Sequence, residues 1–212
     1  VAILYRLLAM HGAAVDYYVP HRMEEGYGVN VEAVEQIAAA GAKLLITVDC
    51  GISAAEPLAR ATELGLDVIV TDHHAPPERL PPAVAIVHPD IPAGGYPCPH
   101  LAGAGVAFKL AWHVARKLCG SDRVDEPTRA FLLEATALAA LGTIADVVPL
   151  VGENRVLAAF GLRGLTATEH VGLRALVESS GLSGERLDAF HVGFRLAPRL
   201  NACGRMGHAQ SA

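Results

Sequence analysis

Aromatic residues are scarce: Phe, Tyr and Trp make up 5% of the 212 residues, with a single Trp. Because 52% of the chain is hydrophobic, its core must be built mainly from Ala, Val, Leu and Ile. Mean hydropathy is +0.34. Even so, no uninterrupted apolar run approaches the ~20 residues that cross a bilayer. The apolar content therefore reads as buried parallel strands and packed helices, with no membrane partner. The four cysteines, Cys50, Cys98, Cys119 and Cys203, form no C-x-x-C pair. That excludes zinc-ribbon and disulfide-scaffold patterns and points to reduced thiols in the cytoplasm. No secretory leader pattern is present. The chain opens at Val1 rather than Met and stops in mid-pattern at Gln210-Ser211-Ala212, so a piece of a longer protein is expected. A basic excess is lacking too: the net charge of −5 argues against a general nucleic-acid binder. From His191 to Ala212, however, there are Arg195, Arg199 and Arg205 and no acid. A local anion site there stands beside the plainer reading of three solvated arginines.

The pattern alternates. Residues 1–11 read as an amphipathic helix, 14–19 as a short strand and 31–40 as a helix closed by Gly41. Residues 43–48 form an apolar run of strand length ending in Asp49. Ser53 is placed to cap a helix over 54–64, which Gly65 closes. Residues 67–71 are a second buried strand, ending in Asp72-His73-His74, and 84–87 a further one. Residues 76–99, rich in Pro and Gly, form a long loop. Helices are expected over 105–118, 128–141, 153–165 and 168–179. Gly164 and Thr166 interrupt the helical pattern, which suggests a division into 1–165 and 166–212.

Strands alternating with helices of about ten residues imply an α/β fold with a parallel sheet flanked by helices. A helical connector towards a second domain would follow. Ligands of such sheets bind at the carboxyl ends of the strands. Asp49 and Asp72-His73-His74 both fall there. Carboxylate and imidazole together suit divalent ions such as Mn, Fe, Zn or Co. A capping Asp72 with surface histidines is the plainer alternative. Asp146 is a lone acid in the apolar stretch 141–150. An isolated buried carboxylate costs several kcal/mol unless paired, protonated or ligated, whereas a turn acid before Pro149 would need no such partner. Gly103-Ala104-Gly105 could offer backbone N–H groups to a phosphate. Close helix packing explains it better, since the G-x-G-x-x-G pattern is only partial.

The segments Leu45-Ile46-Thr47-Val48-Asp49-Cys50-Gly51-Ile52-Ser53, Val70-Thr71-Asp72-His73-His74 and Gly142-Thr143-Ile144-Ala145-Asp146-Val147-Val148-Pro149-Leu150 resemble successive motifs of the DHH superfamily of phosphoesterases. Tyr18-Val19-Pro20-His21-Arg22 with Glu25-Gly26-Tyr27-Gly28, residues 101–109 and residues 198–207 are similar to its RecJ branch of single-strand DNA exonucleases. Together the motifs span Tyr18 to Gly207. The resemblance implies a two-metal phosphodiesterase using Mn2+ or Mg2+. Asp49 would bridge the metals, and His73 and Asp146 would ligate one of them. His74 would contact the scissile phosphate, and Asp72 would be a ligand or would orient one. Arg22 and Arg199 would hold DNA phosphates, including a terminal 5′ group, with Asn201 and Arg205 in support. It implies 5′→3′ action on single-stranded DNA in repair and recombination, with single-strand-binding protein or a helicase as partners.

One motif is missing. The aspartate-rich D-x-D-G loop of the family is absent and would lie upstream of Val1, so this piece would carry about half the ligands and bind metal poorly. Two other readings remain open at the level of sequence. One is a phosphohydrolase of small substrates such as pyrophosphate, cyclic dinucleotides or short oligonucleotides. The other is a non-catalytic DNA-binding relative.

Overall fold

The computed structural model describes residues 1–21, 25–91 and 94–206, without the side chains of 203–206. Three parallel strands, β1 (Leu44–Val48), β2 (Asp67–Thr71) and β3 (Ala85–Val87), lie in the order β1-β2-β3. Leu44 pairs with Asp67 and Val48 with Thr71, so β1 and β2 end level with one another. Thr71 in turn pairs with Val87. The parallel sheet read from the sequence is therefore present, and its carboxyl ends are aligned to within one residue.

Helices pack on this sheet for ordinary reasons. α1 (Ala2–Met10) and α2 (Val31–Ala39) precede it. Asn30 caps α2 by accepting from the Ala33 N–H at 2.7 Å, as short polar side chains do at helix starts. α3 (Ala55–Glu63) joins β1 to β2. Its cap position is Ala54, with no side-chain bond, so the cap expected from Ser53 does not form. Leu58, Ala61, Leu66, Val68 and Val70 close a core between α2, α3 and the sheet. A second core joins α1 to α4 (Gly103–Leu118) and α5 (Glu126–Ala145) through Leu4, Leu7, Val106, Phe108 and Leu132. A third links α5 with α6 (Gly152–Thr166), α7 (Val171–Ser179) and the last helical stretch.

Several expectations change. Residues 14–19 form no strand. Among the described residues they gain no ladder partner, and Tyr17 packs edge-on to Tyr5 instead, with ring centroids 5.3 Å apart. α4 begins at Gly103 rather than 105. α5 runs from Glu126 to Ala145, capped by Asp125. Half of α5 is buried in the fold. By length and composition alone it could cross a membrane, but here it is a core helix. α6 continues unbroken through Gly161 and Gly164 to Thr166. Gly161 allows the α5–α6 crossing: a Cβ there would lie 2.2 Å from the Thr136 carbonyl oxygen. The division suggested after residue 165 falls at this helix end.

The chain ends in α8 (Ala189–His191), one π turn (Val192–Leu196) and α9 (Ala197–Met206). Pro198 lacks an N–H for the normal i→i−4 bond, which fits a π turn just before it.

Candidate metal centre

The strand ends build the site. Asp49 follows β1 and donates its N–H to the Thr71 carbonyl at 2.9 Å. It adopts φ +64°, a left-handed conformation that Asp tolerates better than most residues. The next turn is tight. Thr47 Oγ1 donates to the Cys50 carbonyl at 2.7 Å, and a Cβ on Gly51 would meet that same oxygen. The turn presents the Asp49 carboxylate outward, where it is half exposed.

Asp72, one strand over, is turned inward and is 1% exposed. Its Oδ2 accepts from the Ile52 N–H at 2.9 Å. Its Oδ1 accepts from the N–H groups of His73 (2.8 Å) and His74 (3.2 Å) and lies 2.6 Å from His74 Nδ1. Burial pushes this carboxyl up, and the hydrogen bonds overcome it, so it sits below the usual carboxylate value. A carboxylate cannot donate, so His74 carries its proton on Nδ1 towards Asp72. Of the two roles expected for Asp72, the bonding supports the orienting one.

His73 is the centre of the cluster. Its Nε2 lies 3.1 Å from Asp49 Oδ1 and 3.3 Å from Asp146 Oδ2. Among the described residues that buried nitrogen has no partner with hydrogen-bond geometry. Both carboxylates stand at ion-pair distance from it. Cis ligands of an octahedral ion with bonds of about 2.1 Å are about 3 Å apart, so the spacing fits a shared cation. The Asp49 carboxylate raises the His73 imidazole above its ordinary 6.5, against the opposing effect of burial. Burial also raises the Asp146 carboxyl. Ligand atoms of Asp49, His73 and His74 all lie within 4.8 Å of one another. The donor set, carboxylate plus imidazole, fits a borderline or hard divalent cation.

Asp146 reaches the cluster from the far side of the fold as the C-cap of α5, with its N–H on the Gly142 carbonyl at 3.0 Å. Val147 follows at φ +59° and is largely exposed. A β-branched residue in that region is strained. Gly103, the first residue of α4, closes the site from above. A Cβ there would stand 2.1 Å from Asp49 Oδ1. Close packing, rather than phosphate cradling, is thus the use of this glycine.

Beside the cluster lies a cleft of about 350 Å³ lined by Asp49, Ala104, Leu141, Ala197, Leu200 and Asn201, among others. Asn201 is therefore brought to the site. Arg199 lies outside that lining and donates to the Arg195 carbonyl of the preceding π turn at 2.8 Å. Arg22 and the Arg205 side chain lie outside the described residues.

Two supports were missed by sequence reasoning. His88, directly after β3, lies with Nε2 2.8 Å from the His74 carbonyl, while its Nδ1 accepts from the Asp90 N–H at 3.0 Å. The signal was there, since it was the same strand-end position that singled out Asp49 and Asp72. Asn154, at the start of α6, is fully buried between two loops. Nothing in the local pattern marks it.

Comparison with known proteins agrees with this geometry. The model of the DHH family, N-terminal domain, matches residues 1–143. The single-stranded-DNA-specific exonuclease RecJ of Bacillus subtilis is 47% identical over 211 residues, covering 100% of this chain and 25% of the relative. That of Thermus thermophilus is 46% identical over 211 residues, covering 100% and 29%. That of Escherichia coli is 44% identical over 195 residues, covering 91% and 34%. The chain thus spans a quarter to a third of these relatives. A solved structure of exonuclease RecJ bound to manganese aligns with TM-score 0.81 at 45% identity, over 99% of this chain and 50% of that one. RecJ from Thermus thermophilus in complex with Mn2+ aligns with TM-score 0.78 at 41% identity, over 99% and 28%. A parallel sheet whose strand ends converge on one cation-sized point, within a matching family model that takes in the sheet and most of α5, makes this chain a member of the DHH family.

Proposed function

We propose that this chain is the catalytic-domain portion of a metal-dependent phosphodiesterase that removes nucleotides from the 5′ end of single-stranded DNA in repair and recombination. The observation that carries it is the convergence of the Asp49 and Asp146 carboxylates on the buried His73 Nε2, at 3.1 and 3.3 Å. Manganese is the proposed ion, because both aligned neighbours are described as manganese complexes; Mg2+ is the alternative. Asp49, His73 and Asp146 would hold it. When bound, such an ion lowers the pKa of a water nucleophile and stabilises in-line oxygens.

The chain's own residues do the rest. Asp72 and His88 fix the position of His74, which is proposed to contact the scissile phosphate. Asn201 lines the adjoining cleft and offers an amide to the strand. Arg22, Arg199 and Arg205 are proposed to hold backbone phosphates, since guanidinium presents a fork of donors to them. A cytoplasmic setting and a partnership with single-strand-binding protein or a helicase belong to the same reading.

Nucleotide release from end-labelled single-stranded DNA with Mn2+ tests it in the full-length protein, beside Asp49→Ala. Release from the 5′ end that vanishes in the variant is expected. Release only from the 3′ end, or cleavage of dinucleotides far faster than of long strands, would overturn it. Arg199→Ala should lower the salt slope of DNA binding by roughly one phosphate contact.

A further inference from the structure

We infer that Asn154 couples the two loops that flank the metal cluster and thereby sets its affinity for a divalent cation without ligating it. This rests on the metal-site reading given above.

Asn154 is the third residue of α6 and is 0% exposed. Its Nδ2 donates to the His100 carbonyl at 2.5 Å and to the Pro149 carbonyl at 3.1 Å. Its Oδ1 accepts from the Ala102 N–H at 3.4 Å. Both donors and the acceptor of one amide are therefore used by two segments of chain. The segment 100–102 runs directly into Gly103, the residue that touches Asp49. Pro149 lies three residues beyond Asp146, across the left-handed Val147. Each tethered segment thus abuts one of the two carboxylates between which His73 Nε2 sits.

The choice of residue follows from the bonding. Only a primary amide offers two donors and an acceptor in so small a side chain. Aspartate would set acceptors against two carbonyls, and alanine would leave the buried Ala102 N–H and the His100 and Pro149 carbonyls without this partner. Glu153 beside it strengthens the same join: its carboxylate accepts from Lys109 Nζ at 2.8 Å and from the Tyr96 hydroxyl. A sliding of one loop against the other would alter the separation of Asp49 from Asp146, the span a bound cation must bridge. Groups hydrogen-bonded directly to metal ligands typically control affinity by about 10- to 100-fold, and Asn154, one step further out, is expected at the low end of that range.

The test is Mn2+ binding to the full-length protein, read from the electron paramagnetic resonance of free Mn2+, for the wild type and Asn154→Ala. Asn154→Ala should weaken binding by about tenfold and raise the Mn2+ midpoint for activity by the same factor, with the rate at saturating Mn2+ within about threefold of wild type. Wild-type Mn2+ affinity in Asn154→Ala, or a lost rate with unchanged affinity, would overturn the inference. If the wild type itself takes up no Mn2+, the metal-site reading fails first, and the inference falls with it. Should Asn154→Ala not fold, hydrogen exchange in the wild type decides. Saturation with Mn2+ should slow exchange at Ala102 together with Val148 and Leu150, because coupling is reciprocal. Unchanged protection at Ala102 would overturn the inference.

Discussion

Two aspartates end two neighbouring strands, and the fold treats them in opposite ways. Asp72 after β2 is buried and bonded on both oxygens to donors from its own surroundings. Asp49 after β1 is half exposed, left-handed in its backbone, and faces another carboxylate across His73. One is consumed by structure, and the other is held ready for a ligand. Position at a strand end therefore marks where chemistry can be, whereas the count of satisfied donors tells which residue does it.

The largest effect should come from exchanging these roles. Asp72→Ala leaves the buried Ile52 N–H and the part-buried donors of His73 and His74 without their acceptor and should cost about 3 kcal/mol in denaturant unfolding. At a pH where His73 is neutral, Asp49→Asn should change stability without metal by less than about 0.5 kcal/mol, as Asn accepts the left-handed backbone. Equal losses in the two variants would erase the distinction.

Next is Gly103→Ala. The added methyl must displace the Asp49 carboxylate, so Mn2+ affinity, read by calorimetry, should fall by about 10- to 100-fold. Helix propensity at that site should improve at the same time. Unchanged affinity would place the ion away from Asp49 Oδ1.

Proton linkage separates the two regions more finely. The pKa of His73 is raised by Asp49 in the metal-free fold, so its contribution to stability is full below 6.5 and lost as pH rises through the higher folded value. Metal binding requires the neutral ring, so Mn2+ affinity should begin to fall while pH is still above 6.5. Asp72 behaves oppositely. Its lowered pKa contributes stability above the ordinary 3.8 that is lost as pH drops through the lower folded value. Thermal melts of metal-free protein across pH 2–8, with Asp49→Asn and Asp72→Asn alongside, check both signs.

The smallest effect belongs to His88→Gln. Loss of a single bond to the His74 carbonyl is worth about 1 kcal/mol, or roughly fivefold in rate. Single-turnover cleavage measures it.

The parallel sheet, both strand-end acids and the histidine pair were legible because each is written locally: an apolar run of strand length, then an ionisable group. What the sequence hides depends on distant partners. The stretch 14–19 has strand composition but no neighbouring strand among the described residues. Asp146 was legible as an anomaly in an apolar segment, yet its approach to His73 depends on how far α5 extends. Asn154 is invisible locally because its three bonds go to residues 5, 52 and 54 positions away.

The most direct measurement is Mn2+ binding to the wild type, Asp49→Asn and Asp146→Asn in the full-length protein, with thermal melts of the same samples before metal is added. Both substitutions should abolish or sharply weaken binding while the metal-free melting temperatures stay near wild type. Wild-type Mn2+ affinity in either variant would contradict it.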